Sequence, residues 1–403
     1  MKIIYAGEEM PEKITKSLFL AGPTPRNKEE QDSWRPDALE ILRDKGYDGV
    51  VFIPEPRDGE FKNSYDDQVS WEEKYLNLAD CIVFWVPRDL TPDSKGYPKM
   101  AALTTNVEFG AWVDSGKIVF GAPPKADKNS YLRYYAEEYN VPCAESLVAT
   151  LDDAMEMVGE GAEREGGERF VPLFVWKQPS FQSWYQAQTG AGNRLDEARV
   201  LYSFRPRYKS FVFLWILKAK IYVTSEDRFK DNEFVLSRTD ISSVCLWHNS
   251  SDPGEDRQTN KTNFYRERHV VIVKEFRTPS SSEDGFVREL PGGSSVKEGD
   301  PKETAAEEVH EETGFYLDPD RLRSRGARQL AGTLSAHKAH LYSAEIDKKE
   351  MEWFRSQKDT VHGNAEDTER TFIEVYSVQD LLDEEIVDWT TLGQILSVIK
   401  NTY

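Results

Sequence analysis

The chain of 403 residues has only three cysteines, Cys81, Cys143 and Cys245, with no CxxC spacing among them. An odd number so spaced excludes a disulfide framework and a cysteine zinc site, and it fits a reducing compartment. Long apolar runs are also missing. The longest, Phe211 to Leu217, is far too short to span a bilayer and reads as a buried strand. The opening stretch MKIIYAGEEMPEKITK has no apolar core of signal-peptide length, so the expected location is cytoplasmic. Positive charge is scarce as well: no Lys/Arg block appears and the formal net charge is −20. Extended nucleic acid and membrane surfaces are therefore not expected partners, and a phosphate ligand would need local arginine or a metal. Neither GxGxxG nor GxxxxGK[ST] follows any apolar run, so no dinucleotide fold of the usual kind and no phosphate-loop NTPase is indicated.

What is present, 39% hydrophobic and 12% aromatic residues, suffices for two or three domains with real cores. Over residues 1–157, short apolar runs at Lys16 to Gly22, Gly49 to Pro54, Asp80 to Pro87 and Lys117 to Pro123 alternate with helix-length segments around Pro36 to Lys45, Ser70 to Ala79 and Asn106 to Ser115. That alternation predicts an α/β domain with a doubly wound, mostly parallel sheet of flavodoxin or Rossmann type, its ligand cleft beyond the carboxyl ends of the strands. The loops leaving those strands, Ala21-Gly22-Pro23-Thr24-Pro25-Arg26 first among them, are then the functional ones. Asn106 is placed to cap a helix carrying Glu108 in its first turn, facing that cleft.

Leu18 to Pro23, Ala79-Asp80 and the segment Thr104 to Gly110 make this domain resemble the nucleoside 2-deoxyribosyltransferases and their N-glycosidase relatives. The resemblance implies that Glu108 attacks or shields the anomeric carbon of a (deoxy)ribose and that Glu72 is a base-contacting acid. It also implies that Gly22 lines the sugar, with Pro23, Arg26 and Asn106 beside the substrate. Such chemistry suits a carboxylate next to an oxocarbenium-like centre. The family's acid six residues before the catalytic Glu is here Ala102. For Glu108 the competing reading is an acid complementing a helix dipole, for Glu72 a solvated helix residue, and Asp80 reads as a structural carboxylate at a strand start.

Residues 158–169 are glycine and charge and read as a linker to a second domain, 170–403. There, strands are expected at Phe170 to Trp176, Ser210 to Val223, Ser242 to His248 and Arg268 to Arg277. Past residue 315, Arg328 to Thr333, His340 to Ile346 and Thr371 to Tyr376 read as further strands, and Val378 to Tyr403 as helical with a turn at 386–388. Pro301 to Thr313 reads as a helix capped by Asp300, with Glu303 closing a capping box and Gly314 at the left-handed C-terminal position. On it Glu308, Glu311 and Glu312 share one face, and Glu303, Glu307 and Glu311 continue the charge. Like charges at this spacing repel by roughly 0.2 to 0.5 kcal/mol per pair, so the cluster suits a magnesium or manganese ion. A solvated acidic helix is the alternative reading of the glutamates alone.

With its flanks, residues 292–315 resemble the Nudix hydrolase signature, with Gly293, Glu308, Val309, Glu311, Glu312, Gly314 and Phe315 in register. The resemblance implies an α+β Nudix fold and a metal held by Glu308, Glu311 and Glu312, with Glu311 and Glu312 taking part in catalysis against a pyrophosphate. The phrase from Arg268 to Arg277 is similar to the ADP-ribose branch, and Arg277 is its candidate substrate contact. Gly299 and Glu307 stand where the signature has Glu and Arg; Glu298 or Asp300 is the nearest replacement for the former. His337 and His340 read as ordinary loop and strand histidines, and Glu366 and Glu369 lie in a polar loop open to a mobile catalytic acid. The expectation is a bifunctional enzyme acting on a nucleoside or nucleotide such as an ADP-ribose-like molecule, dimeric or larger by both resemblances. Its rival is a sensor whose second domain binds a nucleotide without cleaving it.

Overall fold

A computed structural model describes residues 1–25, 27, 29–57, 64–204, 212–251, 263–294, 300–363 and 369–400. The chain divides into two compact units, Met1–Arg238 and Thr239–Tyr403. Among the described residues no helix is long and apolar enough to cross a membrane.

The first unit is built on a six-stranded sheet, every pairing parallel. Its strands are β1 (Lys2–Tyr5), β3 (Ser17–Ala21), β4 (Val50–Ile53), β5 (Cys81–Trp85), β8 (Ile118–Gly121) and β9 (Cys143–Ala144), in the order β1-β4-β3-β5-β8-β9; the two-residue β2 (Lys13–Ile14) stands outside it. The four runs expected from sequence are β3, β4, β5 and β8, each within a residue or two of its expected ends. They are uninterrupted apolar runs because both faces are covered. Phe19, Phe52, Phe84 and Phe120 point into one core, closed by α2 (Tyr65–Leu78), α3 (Leu103–Trp112) and α4 (Ser130–Glu138). Leu18, Leu20, Val51, Val83 and Val119 point into the other, closed by α1 (Arg35–Asp44) and α5 (Leu147–Val158). A hairpin of β6 (Asp89–Pro92) and β7 (Pro98–Met100) precedes α3. Winding reverses between β3 and β5, which places the topological switch point between the loops that leave those two strands.

Residues 158–169 are not a free linker. The strand β10 (Arg164–Glu165) pairs with β2, and the Arg164 guanidinium is wholly buried against the Asp80 carboxylate, with N–O distances of 2.8 and 2.7 Å. Asp80 also accepts from Ser17 Oγ and from the Leu173 amide, so the carboxylate that opens β5 fixes the chain on both sides of the glycine-rich stretch. The unit then continues to Arg238, eighty residues past the expected boundary at 158. Its last part is α6 (Leu173–Trp176), α7 (Pro179–Gly190) and an antiparallel sheet of β11 (Arg194–Phe204), β12 (Leu214–Val223) and β13 (Arg228–Arg238), packed around Val175, Phe181, Trp215 and Leu217. The strand expected at Phe170 to Trp176 is instead a 3-10 turn followed by α6. Pro172 has no N–H to give a ladder, and a short apolar run does not distinguish strand from helix by period alone.

The second unit has a seven-stranded mixed sheet. Its path is β16 (Phe286–Glu289), β15 (Arg268–Phe276), β14 (Ile241–Asn249), β19 (Lys338–Glu345) and β18 (Arg323–Gln329). β17 (Gly292–Ser294) pairs with β14, and β20 (Thr371–Ser377) with β15. β14 and β19 run parallel and the other pairs antiparallel. One face packs on α8 (Pro301–Thr313) and α9 (Lys348–Ser356) through Val244, Val271, Val309 and Phe354. The other packs on α10 (Val378–Asp383) and α11 (Trp389–Ile399) through Cys245, Ile272, Leu381 and Ile395. The strand expected at Arg328 to Thr333 lies earlier, as β18. Helix α8 has its expected ends: Asp300 accepts from the Lys302 amide at 2.9 Å and Gly314 has φ +71. The cap is Asp300 alone, while Glu303 stands exposed, not closing a box.

Candidate functional site

In the first unit the amino-terminal halves of α1, α2 and α3 gather at the carboxyl ends of the strands. Gly22 opens the loop after β3 with φ +152, and a Cβ there would lie 2.2 Å from the Trp85 carbonyl oxygen across the switch point. Only glycine allows the two loops to approach so closely. The loop is fastened by Arg35, a buried residue at the start of α1. Its guanidinium donates to the carbonyls of Leu20 (3.0 Å) and Gly22 (2.8 Å), to Thr24 Oγ1 (3.0 Å) and to the Glu55 carboxylate. Trp34 Nε1 adds a bond to the buried Pro23 carbonyl. Arg26 lies outside the described residues.

Glu108 is half-buried on α3 and Glu72 half-buried on α2, the latter accepting a bond from Gln68 Nε2 at 2.9 Å. Burial, then the Glu72 charge, pushes the Glu108 carboxyl up to about 7, with Arg35 pulling the other way. Burial raises Glu72 as well, opposed by its Gln68 bond and by Arg35. The structure thus brings two carboxylates of raised proton affinity and one buried arginine into a common field. Two expectations are corrected. Helix α3 starts at Leu103 behind Ala102 in the left-handed region (φ +56), so Glu108 stands in the second turn, past the reach of a terminal dipole. Asn106 is no cap; it lies within the helix and its Oδ1 accepts from Arg88 Nη2. Arg88 leads out of β5, is buried, and leaves its Nε without a hydrogen-bond partner. Sequence reading put Glu55 in a loop leaving a strand, with no role of its own, and missed Arg35 and Arg88, whose partners lie 11 to 40 residues away. A lone arginine between Trp34 and a helix-starting Pro36 was the available signal for the first.

A 430 Å³ groove elsewhere in this unit is lined by Trp112, Lys117, Phe174, Arg199 and Tyr202, and neither Glu72 nor Glu108 borders it. Lys117 there is structural: its Nζ donates to the carbonyls of Leu76, Asn77 and Ala79 at 2.7 to 2.9 Å, closing the end of α2. Burial pushes this amine down to about 7, yet three donated bonds are the geometry of an ammonium, and we assign it the charge.

In the second unit the glycines ahead of α8 have a steric cause. A Cβ on Gly292 would lie 2.0 Å from the Ser242 oxygen, and one on Gly293 2.4 Å from the Glu308 carboxylate. The bare backbone lets the Gly292 amide donate to Glu312 Oε2 at 2.9 Å. Glu312 is buried, and burial holds its carboxyl well above the ordinary range, with Glu289, Glu308 and Glu369 pushing the same way. Among the described residues the acids whose oxygens lie within 4.8 Å of one another are Glu275, Glu312 and Glu369. Of the expected metal ligands, Glu312 is therefore in the cluster, Glu308 is half-buried beside it, and Glu311 is exposed on the next face of α8. Glu275 and Glu369 come from β15 and from the start of the segment before β20, a convergence that no local spacing encodes. Arg277 Nη2 lies 2.7 Å from Glu275 and 3.8 Å from both Glu289 and Glu369. Of the other positions singled out in sequence, His340 pairs with Asp240 at 3.0 Å, while Glu298, Gly299 and Glu366 lie outside the described residues.

The donor set of the cluster fits a hard divalent ion: three carboxylates, two of them buried, with a hydrogen-bond donor for only part of their oxygens. Compared with known proteins, no curated sequence matches the chain. Residues 15–126 match the family described as nucleoside 2-deoxyribosyltransferase like, a span that holds β3 to β8 and with them Gly22, Arg35, Glu72 and Glu108.

Proposed function

We propose that the first unit breaks or transfers the N-glycosidic bond of a nucleoside or nucleotide through Glu108 and Glu72. The observation that carries this reading is the pair of half-buried carboxylates, both with raised proton affinity, beside the Arg35-fastened loop at the switch point. In the step, the ionised Glu108 carboxylate attacks or shields the anomeric carbon as the bond to the base breaks. The bonding electrons leave with the base, and a proton from Glu72 neutralises it. Water or a second base then takes the sugar, the Glu108 carboxylate is released, and the proton shed by the incoming group returns to Glu72. Burial raises the proton affinity of both carboxylates and the Glu72 charge raises that of Glu108 further, which suits Glu72 as the acid and Glu108 as the nucleophile.

For the second unit we propose hydrolysis of a phosphoanhydride in a nucleoside diphosphate derivative, with Glu275, Glu312 and Glu369 holding magnesium or manganese and Glu308 beside them. A bound divalent ion would supply charge neutralisation for the pyrophosphate and a more acidic water. The chain's own part is to bury Glu312, to hold it through the Gly292 amide, and to keep Arg277 at the rim.

A nucleoside and nucleotide panel incubated with the full-length protein, with and without magnesium, and followed by mass spectrometry tests both halves. Free base that appears with the wild type and not with Glu108→Gln is expected; base release undiminished by that substitution rejects the first assignment. Phosphoanhydride products that need magnesium and vanish in Glu312→Gln are expected of the second.

A further inference from the structure

Three acids and one base meet at the rim of the second unit's cluster. A single guanidinium nitrogen, Arg277 Nη2, faces Glu275 at 2.7 Å and Glu289 and Glu369 at 3.8 Å, and two of those three acids belong to the converging carboxylate set. The 2.7 Å approach is not aligned as a hydrogen bond, and Glu275 Oε2, buried, is left with no hydrogen-bond partner. A carboxylate oxygen in that condition calls for a cation at short range. The nearby basic residues are engaged elsewhere: Lys274 and Arg288 pair with Asp284 and Glu374. Arg277 itself is 43% exposed, so it can swing away into solvent or toward a ligand at little steric cost.

We propose that Arg277 is the resident counter-cation of the Glu275, Glu312 and Glu369 cluster, that a divalent ion displaces it, and that the released guanidinium then grips the phosphates of the substrate. This rests on the metal reading of the second unit. One side chain thereby links the two binding events. Without metal the guanidinium is held by glutamates, and with metal the carboxylate charge is spent on the ion and a fork-shaped phosphate donor is freed. Ion and nucleotide then bind with positive coupling, the same for either order of addition.

Calorimetric titration of the full-length protein with Mn²⁺, at fixed pH and ionic strength, tests this on wild type, Arg277→Gln, Arg277→Lys and Glu312→Gln. Arg277→Gln removes the competing charge and should bind Mn²⁺ about fivefold or more tightly, while Arg277→Lys, which keeps the charge, should stay near wild type. In a second titration with ADP, Arg277→Gln should bind more weakly than wild type at saturating Mn²⁺, and the two should bind alike without Mn²⁺. Unchanged or weaker Mn²⁺ binding in Arg277→Gln overturns the counter-cation role, and equal ADP affinity at saturating Mn²⁺ overturns the release step. Loss of the ligand Glu312 should weaken Mn²⁺ by no less than the roughly tenfold that losing a supporting group costs. Wild type and Glu312→Gln that bind Mn²⁺ equally, or not at all, would remove the metal reading itself. Should the glutamine variant fold poorly, Arg277→Ala, which also lacks the charge, takes its place in both titrations with the same expected results.

Discussion

With Glu108 in the proposed role, function and stability place opposite demands on its carboxyl. Its carboxyl sits at about 7 because burial and Glu72 disfavour the anion, while attack on an anomeric carbon needs the anion. Base release should therefore rise with pH through about 7, and Glu72→Gln, by removing a like charge, should move that rise to lower pH whatever it does to the plateau. A pH series of kcat/KM on both proteins checks this; a rise left in place by Glu72→Gln would deny the coupling. The stability consequence has a fixed sign. Folding raises the proton affinity of Glu108, so its contribution is fully present below the ordinary value of 4.5 and is lost as pH rises through about 7. Glu108→Gln cannot lose it. The variant should gain stability over wild type between those limits, seen as a melting-temperature difference that grows with pH. Arg35 opposes both effects from within the wall of the site, fixed by four acceptors.

Among the elements, β3, β4, β5 and β8 of the parallel sheet and helix α8 were legible in sequence because their signals are local: uninterrupted apolar runs, a capping Asp, a terminal Gly; the short edge strands β1 and β9 carry no such run. The glycine-rich stretch at 158–169 was not, since composition alone reads as flexible and its anchor is one arginine whose partner stands 84 residues away. The same limit hid Glu275, and it left Glu369 only a loop acid with no partners. Both acquire their place in the cluster only when β15, α8 and β20 come together. The Asp80 and Arg164 pair yields a sharp prediction. Both side chains are fully inaccessible, and removing one partner leaves a buried charge uncompensated, which costs about 3 to 5 kcal/mol. Arg164→Met should lower the stability of the first unit by that amount in denaturant unfolding, and pairing it with Asp80→Leu should recover a good part of the loss. A single substitution that costs under about 1 kcal/mol would show that water reaches Asp80.

At the scale of the whole molecule the two units carry separate cores and separate carboxylate clusters. If each unit does its own chemistry, Glu108→Gln should abolish base release and spare metal-dependent phosphoanhydride cleavage, and Glu312→Gln should do the reverse. Loss of both activities in either variant would indicate one composite site. The sensor alternative predicts metal-dependent nucleotide binding with negligible turnover in the second unit. It is distinguished from the enzyme by a phosphate-release assay, in which Glu307→Arg restores hydrolysis to a sensor and adds little to an enzyme. Where the chain can be divided follows from the same packing. A fragment ending at residue 157 lacks Arg164 and leaves the Asp80 carboxylate buried without its counter-charge, and it lacks the Leu173 amide that Asp80 also binds. One ending at Arg238 keeps both, together with the core around Phe181 and Trp215. The longer fragment should be soluble, unfold cooperatively and release base at the rate of the full chain. The shorter should be protease-sensitive and inactive even though every residue of the Glu108 and Glu72 site is present. Equal stability of the two fragments would mean that the Asp80 tether is dispensable, and that residues 158–238 contribute nothing to the fold that holds Glu108 and Glu72.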